Sequence, residues 1–294
     1  MVRVATIVAW ASVVLWPCAA FALTIDSPTT FWTPISYSGV VPDYYDDEQT
    51  GDTESDIVGD AVNPAVYTQF DDNGTPGDNS DDVLALRVRI GATKAPAGFS
   101  RFVGVGIDAD QNGSLDIFLA VDNGGGGDHL EIFWPGTDPD LNISPSTTSI
   151  ESVSPTPYTY AEDATNYDWS PIDAILDPTA TGFDLDADGN TDHFISWAIP
   201  FQDVIDQLTA TGITEFDENA PVSYVAGTST QSNVFNQDLG GPQGGTNSGE
   251  TWAALGALSN PYTVSGVLVP EPGSFELVAL GILGLTAFRR RRLS

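Results

Sequence analysis

Short stretches in which apolar and polar residues alternate recur along the chain and predict β-strands. In residues 83–90, VLALRVRI, the aliphatic side chains share one face, while Arg87 and Arg89 point the other way. Similar stretches lie at residues 115–121, 130–134, 193–199, 222–226 and 262–269. Short strands between regular turn signals are typical of an antiparallel β-sandwich or barrel. We therefore predict an all-β fold, an antiparallel β-sandwich of jelly-roll type, with one or two short helices.

Residues 200–212, PFQDVIDQLTATG, follow a helical period instead. Their apolar side chains fall at positions i, i+3, i+4 and i+7, namely Phe201, Val204, Ile205 and Leu208. This spacing predicts a helix with Pro200 in its first turn and Gly212 as its stop. We expect the helix to bury this stripe against one end of the sandwich. Ser170-Pro171 predicts a second short turn.

The charge of the chain limits its possible partners. Its 294 residues include 41 Asp and Glu but only 9 Lys and Arg, which gives a formal net charge of -32. Most of the basic residues lie at the two ends, at Arg3 and in the block 289–292. Proteins that bind nucleic acid use clustered basic side chains to neutralise phosphates, so we exclude that class. An anionic membrane surface is disfavoured for the same reason.

The first 22 residues have the layout of a secretory signal peptide. A basic start at Arg3 is followed by an apolar run and by Ala20-Phe21-Ala22. We expect cleavage after Ala22, which removes Cys18, the single cysteine of the chain. The mature domain, residues 23–269, would then have no disulfide, no thiol nucleophile and no thiolate metal site.

The end of the chain, residues 270–294, combines three features in order. Pro270-Glu271-Pro272 is followed by an apolar run at 275–288, too short for a typical membrane-spanning helix, and then by an arginine block. The order resembles the PEP-CTERM sorting signal of Gram-negative bacteria. The resemblance implies recognition by an exosortase-type enzyme and delivery to the cell surface or extracellular matrix, in a family associated with exopolysaccharide and biofilm. A single-pass transmembrane helix is the alternative, and it places the domain on the same side of the membrane.

Two acidic loops of the same pattern are the most informative feature of the body. Residues 108–116 read DADQNGSLD and residues 184–192 read DLDADGNTD, and both fit D-x-D-x-[DN]-G-x-x-D. Carboxylates at alternate positions of a tight turn converge on one point, which suits a calcium ion. The expected ligands of the first loop are Asp108, Asp110, Asn112, Asp116 and the Ser114 carbonyl. Those of the second loop are Asp184, Asp186, Asp188, Asp192 and the Asn190 carbonyl.

The two loops resemble the first nine positions of EF-hand and dockerin-like calcium loops. At the twelfth position Leu119 and Ile195 replace the bidentate Glu, and the flanking residues predict strands. We therefore expect two β-hairpin loops, each closed by calcium with a dissociation constant of about 10⁻⁴–10⁻³ M. The second loop, which has four aspartates, is the better candidate. Acidic turns with a glycine are common in so acidic a chain, but two full matches favour metal binding.

The other acidic segments lack this spacing. Residues 70–82 are expected to form a solvated hairpin loop. Residues 43–60, which hold eight acids, and the Gly-rich residues 236–250 are expected to be flexible loops. His129 and His193 each stand at the start of a predicted strand and have no identifiable catalytic partners. An enzyme is therefore the less favoured class.

The body also resembles the plan of DOMON and family 9 carbohydrate-binding sandwiches. The residues that carry the resemblance lie at 56–70, 81–91, 103–121 and 195–204. The resemblance implies an extracellular β-sandwich, often with calcium and a sugar or haem ligand; the sole methionine is Met1, which disfavours Met/His haem ligation. Exposed aromatic rings hold sugars by stacking, and Trp169 with Tyr167, in a polar stretch, is the candidate platform.

These observations lead to one main functional hypothesis and two alternatives. The main hypothesis is a non-enzymatic, secreted, calcium-binding β-sandwich of the extracellular matrix with exopolysaccharide as its partner. The first alternative is a carbohydrate-active hydrolase that uses an unidentified Asp/Glu pair. The second is a purely structural coat protein that binds no glycan.

Overall fold

The computed structural model describes residues 23–37, 43–49, 53–91, 98–124, 128–136, 141–142, 150–152, 158–231, 235–241 and 250–269. The strands, in chain order, are β1 Thr33–Pro34, β2 Val66–Asp71, β3 Val83–Ile90, β4 Phe102–Asp108, β5 Ile117–Asp122, β6 His129–Pro135, β7 Leu141–Asn142, β8 Ile150–Ser152, β9 Thr159–Ala161, β10 Tyr167–Pro171, β11 His193–Pro200, β12 Pro221–Ser229, β13 Glu250–Thr251 and β14 Tyr262–Thr263. The helices are α1 Phe201–Thr211 and α2 Trp252–Leu255.

Two antiparallel sheets pack face to face and form an all-β sandwich. The first sheet has the order β1-β2-β3-β11-β10. The second has the order β14-β12-β4-β5-β6-β8, and β9 pairs with β6 as well. The short strands β7 and β13 pair with each other outside both sheets. The predicted all-β antiparallel sandwich is therefore confirmed.

The core between the sheets is built from the alternating strands that the sequence predicts. On β3, Leu84, Leu86 and Val88 face it, and they pair in register with Ile199, Trp197 and Ile195 of β11. The opposite wall comes from β4, β5 and β6, whose inward side chains are aliphatic. This pattern of inward apolar residues is what sheet-on-sheet packing requires.

Helix α1 closes one end of the sandwich as expected. Phe201, Val204 and Leu208 are fully buried, and the helix packs against β3 and β11. Pro200 lies just outside the helix as its N-cap. The helix ends at Gly212, which has a left-handed φ of 108°. A residue without a Cβ adopts that conformation at little cost, so the predicted stop is correct.

The outer face of the first sheet is also covered, which the alternating pattern does not predict. Arg87 lies on this face and is fully buried. Its guanidinium carbon lies 4.2 Å from the centroid of the Trp32 ring and 4.9 Å from that of Phe194. Its Nε donates to Ser196 Oγ at 2.7 Å, and its Nη2 to the Ile25 carbonyl at 2.9 Å. A buried arginine is tolerated where aromatic faces and acceptors replace water.

The outer face of the second sheet carries a separate aromatic cluster. Phe102, Phe118 and Phe133 project from β4, β5 and β6, and Phe235 and Trp252 cover them from the later chain. The rings of Phe118 and Phe235 are 5.2 Å apart in an edge-on arrangement. Both faces of each sheet are thus buried over much of their area, so the loops that cover them are part of the packed body.

Three expectations about local structure are wrong. Ser170-Pro171 forms no turn, because both residues belong to β10. Of the predicted strand 262–269, only Tyr262–Thr263 forms a β-strand, and the chain turns immediately afterwards. The described part of segment 43–60 is folded against the body, with Asp43 and Asp56 buried. The loop 72–82, in contrast, joins β2 to β3 as the expected exposed hairpin loop.

Candidate metal sites

The first acidic loop, residues 108–116, closes the hairpin between β4 and β5. Its ends are joined by the last ladder pair and by a hydrogen bond from Asp116 N to the Ile107 carbonyl at 2.8 Å. The Asp108 carboxylate accepts from Gly113 N at 2.9 Å and from Asn112 N at 3.0 Å. Backbone donors therefore turn the first carboxylate into the loop rather than toward solvent.

The second acidic loop, residues 184–192, is the last part of the connection from β10 to β11. The two strands are antiparallel neighbours, but the connection 172–192 is long and folds back over the outer face of the first sheet. The expectation of a compact hairpin is therefore wrong for this loop. Asp184 Oδ2 accepts from Gly189 N at 3.1 Å, and the Asp192 carboxylate accepts from Leu185 N at 3.2 Å.

The two loops share one backbone conformation despite their different surroundings. Gln111 and Ala187, at the fourth position, have left-handed φ values of 60° and 59°. Gly113 and Gly189, at the sixth position, have φ values of 88° and 91°. A non-glycine residue in this region carries a conformational cost, so its occurrence at the same position in both loops indicates a common local structure.

The hydrogen bonds inside the loops repeat in the same way. In both loops the N–H of the fifth position donates to the carboxylate of the third at 3.2 Å. The N–H of the seventh position donates to the side-chain oxygen of the fifth, at 2.7 Å in the first loop and 2.6 Å in the second. The N–H of the second position donates to the ninth carboxylate in each. The sequence repeat is therefore also a repeat of the backbone turn and of these hydrogen bonds.

In each loop the carboxylates at the first, third and ninth positions converge. One oxygen from each of these side chains lies within 4.8 Å of the other two, in a first group of Asp108, Asp110 and Asp116 and a second group of Asp184, Asp186 and Asp192. Asp188 lies outside its group, because its oxygens accept from the N–H and the side-chain amide of Asn190. Asn112, Ser114 and Asn190 stand at the remaining ligand positions, on the same turns.

Burial and like charge make the ionised form of these carboxylates costly. Burial raises the pKa of Asp116 to about 6, and the charges of Asp110 and Asp108 add to the effect. The pKa values of Asp108 and Asp186 are also raised, chiefly by burial. A bound cation would reverse this balance, because an opposite charge a few ångströms away favours the carboxylate.

A buried arginine distinguishes the second loop from the first. Arg89, on the outer face of β3, contacts Asp192 Oδ2 through Nε at 2.8 Å and Nη2 at 2.6 Å. Its Nη2 also donates to the Gly182 carbonyl at 2.9 Å, and its Nη1 lies 3.9 Å from Asp177. One arginine therefore fixes the end of the second loop to the sheet and already neutralises part of its charge.

The residues at the twelfth position have a purely structural role. Leu119 and Ile195 are fully buried in the core between the sheets. Neither position can carry the bidentate glutamate of an EF-hand without placing a carboxylate in the apolar core, which is strongly unfavourable. The departure from the EF-hand pattern thus follows from the strand that succeeds each loop.

The predicted aromatic platform is not an exposed surface. Tyr167 and Trp169 lie on β10 and are both half-buried against the core. The Trp169 ring stacks on His193 with 4.6 Å between centroids, and it lies 5.2 Å from Phe99. Alternation along β10 places both side chains on its inner face, opposite Trp197 and Ile195. Within the described ranges, no tryptophan is exposed.

The histidines begin strands, as expected: His129 is the first residue of β6 and His193 the first of β11. His193 contacts the Thr191 carbonyl through Nδ1 at 2.9 Å. The structure adds one grouping that the sequence did not suggest. His129 lies with Asp122 and Glu131, with its Nε2 3.2 Å from Glu131 Oε1. His129 and Glu131 lie two residues apart on β6, and Asp122 lies opposite them on β5. The sequence of a single loop therefore contains no spacing that predicts this group.

Two further acidic groups were missed, and both contain Asp56. Asp56 lies with Asp47 and Asp238 in one group and with Asp46 and Asp186 in the other. Within each group the carboxylate oxygens lie within 4.8 Å of one another. The density of acids in segment 43–60 was the only sequence signal, because the partners come from distant parts of the chain.

The proposed processing segments lie outside the described residues. These are the signal peptide, residues 1–22, and the sorting signal with Pro270, Glu271 and Pro272. Within the described part of the chain, no helix has the length and apolar character needed to cross a bilayer.

Comparison with known proteins adds no assignment. No protein-family model, no curated protein and no solved structure matches this chain.

The Arg89–Asp192 contact leads to a test of how the second loop is held. Replacing Arg89→Met should lower the free energy of unfolding by about 3–5 kcal/mol, because it leaves two buried carboxylates without their cation. Urea denaturation at a fixed calcium concentration measures this loss. Arg89→Lys keeps the charge but not the forked geometry, so it should lose less. A methionine variant as stable as the unchanged protein would contradict this role.

Proposed function

We propose that this protein is a secreted, surface-sorted, calcium-binding β-sandwich of the extracellular matrix, with exopolysaccharide as its partner. The observation that carries the calcium part is the repeat of one acidic loop geometry at two unrelated places in the fold. In both loops three carboxylates converge on the same side of the same backbone turn. Chance acidity explains neither the shared φ values nor the shared hydrogen bonds.

The chemistry of the donors favours calcium over transition metals. Every predicted ligand is an oxygen, and neither loop contains histidine or cysteine. Oxygen-only sites suit hard cations, and calcium accepts six to eight ligands in flexible geometry. Zinc and copper sites, in contrast, use nitrogen and sulfur ligands. An acidic turn without the bidentate glutamate therefore fits a calcium site of modest affinity.

The structure changes which loop we expect to bind more tightly. The sequence favours the second loop, because it has four aspartates. However, Arg89 occupies one oxygen of Asp192, and Asp188 is turned toward Asn190. No such arginine contact is described for the carboxylates of the first loop. We therefore propose that the first loop has the higher calcium affinity.

One variant in each loop tests calcium binding at that loop. Asp110→Asn should abolish the tighter binding event in isothermal titration, and Asp184→Asn the weaker one. At 10 mM calcium each loss should remove about 1–3 kcal/mol of stabilisation, from the linkage relation with the dissociation constants above. The control is Asp206→Asn on α1, an exposed acid outside both loops. If the unchanged protein shows no heat of binding and no thermal stabilisation at millimolar calcium, the proposal is refuted.

The surface and matrix part of the proposal depends on the two ends of the chain. A signal-peptide pattern and a resemblance to the PEP-CTERM signal support export and delivery outside a Gram-negative cell. After processing, the body would contact the membrane no further, and the exosortase-type enzyme would be its transient partner.

The exopolysaccharide partner can be tested by a glycan array in calcium buffer, combined with an assay for reducing ends. We expect glycan binding without turnover. Release of reducing ends, lost on mutation of one carboxylate, would instead support a hydrolase. No binding to any glycan would leave a structural coat protein as the function.

A further inference from the structure

Three separate segments of the chain bring carboxylates together beneath the surface, away from the first loop. Asp47 comes from segment 43–49, Asp56 follows the short turn Thr53–Ser55, and Asp238 comes from segment 235–241. Asp56 and Asp238 are 0% and 1% exposed. Asp47 is half-buried, so the cluster extends from the interior toward the surface, in contrast to the largely exposed tip of the first loop.

The distances in this cluster are those of a shared ion. One oxygen each of Asp47, Asp56 and Asp238 lies within 4.8 Å of the other two. Two oxygens that bind one calcium at about 2.4 Å are at most about 4.8 Å apart. The separations are therefore compatible with one shared ion.

Backbone donors hold Asp56 and Asp238 in place, and one oxygen of Asp56 receives no donor within the described part of the chain. Asp238 accepts from Ile57 N and from Leu239 N, both at 2.7 Å. Asp56 Oδ2 accepts from Asp46 N at 3.1 Å. Asp56 Oδ1 is buried and has no hydrogen-bond partner among the described residues. A fully buried carboxylate oxygen without a donor is costly, so a cation bound to it would remove this cost.

Nearby Asp43 repeats this feature. It is 2% exposed, and its Oδ1 accepts from Gly241 N at 3.1 Å. Its Oδ2 is buried without a partner among the described residues. Burial and the charge of Asp238 both raise the pKa of Asp43. The charges that act most strongly on Asp56 are also carboxylates, those of Glu48, Asp47 and Asp186.

We propose that Asp47, Asp56 and Asp238 form a third, buried site for a hard divalent cation, with calcium as the ion. None of these three residues belongs to the two repeated loops, so the failure of this site would leave the calcium proposal for those loops intact. Asp56 also lies within 4.8 Å of Asp46 and Asp186, and Asp186 belongs to the second loop. Asp56 therefore connects the buried site to that loop.

The buried position of the site predicts how it differs from the loops. Two of its three carboxylates are fully buried, so its ion should be released more slowly than an ion in an exposed turn. The cation would also tie segment 43–49 to segment 235–241. Such a tie across distant segments stabilises the folded state through linkage with ion binding.

The variant Asp56→Asn tests the site, because asparagine keeps the shape of the side chain and removes its charge. After dialysis against micromolar calcium, the unchanged protein should retain one more calcium per chain than the variant, as measured by atomic emission. In chelator the variant should melt at a temperature equal to or above that of the unchanged protein, since carboxylate repulsion is relieved. In millimolar calcium it should melt lower. Asp206→Asn is the matched control and should change none of these values.

Equal calcium content and equal stabilisation by calcium in the two proteins would overturn the third site. A variant that is more stable than the unchanged protein both in chelator and in millimolar calcium would also overturn the third site. That result would mean that protonation of the carboxylates, and not a cation, neutralises the cluster. Should the variant fail to fold, crystals of the unchanged protein grown with calcium provide the second measurement. An anomalous peak about 2.3–2.6 Å from Asp56 supports the site, and its absence there, with peaks in the two loops, refutes it.

Discussion

Carboxylates must be packed together in this chain with almost no basic side chains to neutralise them. The body from residue 23 to residue 269 has only Arg87, Arg89, Lys94 and Arg101. Two of these arginines are buried on the outer face of one sheet, and Arg89 forms an ion pair with Asp192. Most buried acids therefore depend on backbone N–H groups. Such donors orient a carboxylate but cancel only part of its charge.

This constraint explains why the acids cluster where the backbone turns. Consecutive N–H groups in a tight loop converge on one side, so a carboxylate can be held there without a basic partner. Both repeated loops use this device, with donors at the second, fifth, sixth and seventh positions. The same convergence that orients the carboxylates also leaves their remaining oxygens facing one another, which is the arrangement a calcium ion requires.

The sequence predicts the parts of this molecule whose cause is local. Strand alternation in residues 83–90, the stripe of α1 and the spacing in the two loops each depend on residues within one turn or one strand. The burial of Arg87 is not local, because it depends on Trp32 and on a connection that folds back over the sheet. The Asp56 cluster likewise joins residues almost two hundred positions apart, and no spacing within a segment records that contact.

The connections that cover the outer faces of the sheets also bring acidic side chains close together. Each sheet has a second apolar face, and the connection 172–192 that covers this face of the first sheet holds six aspartates. A connection pressed onto a sheet brings its carboxylates toward others already there, as with Asp56, Asp186 and Asp238. Without cations, the repulsion between these carboxylates opposes the burial of the outer faces. A bound cation would attract the carboxylates on both sides and would stabilise the covering connections against the sheet. Ion binding in the loops and completion of the outer layers would then be a single equilibrium, favoured wherever calcium is plentiful.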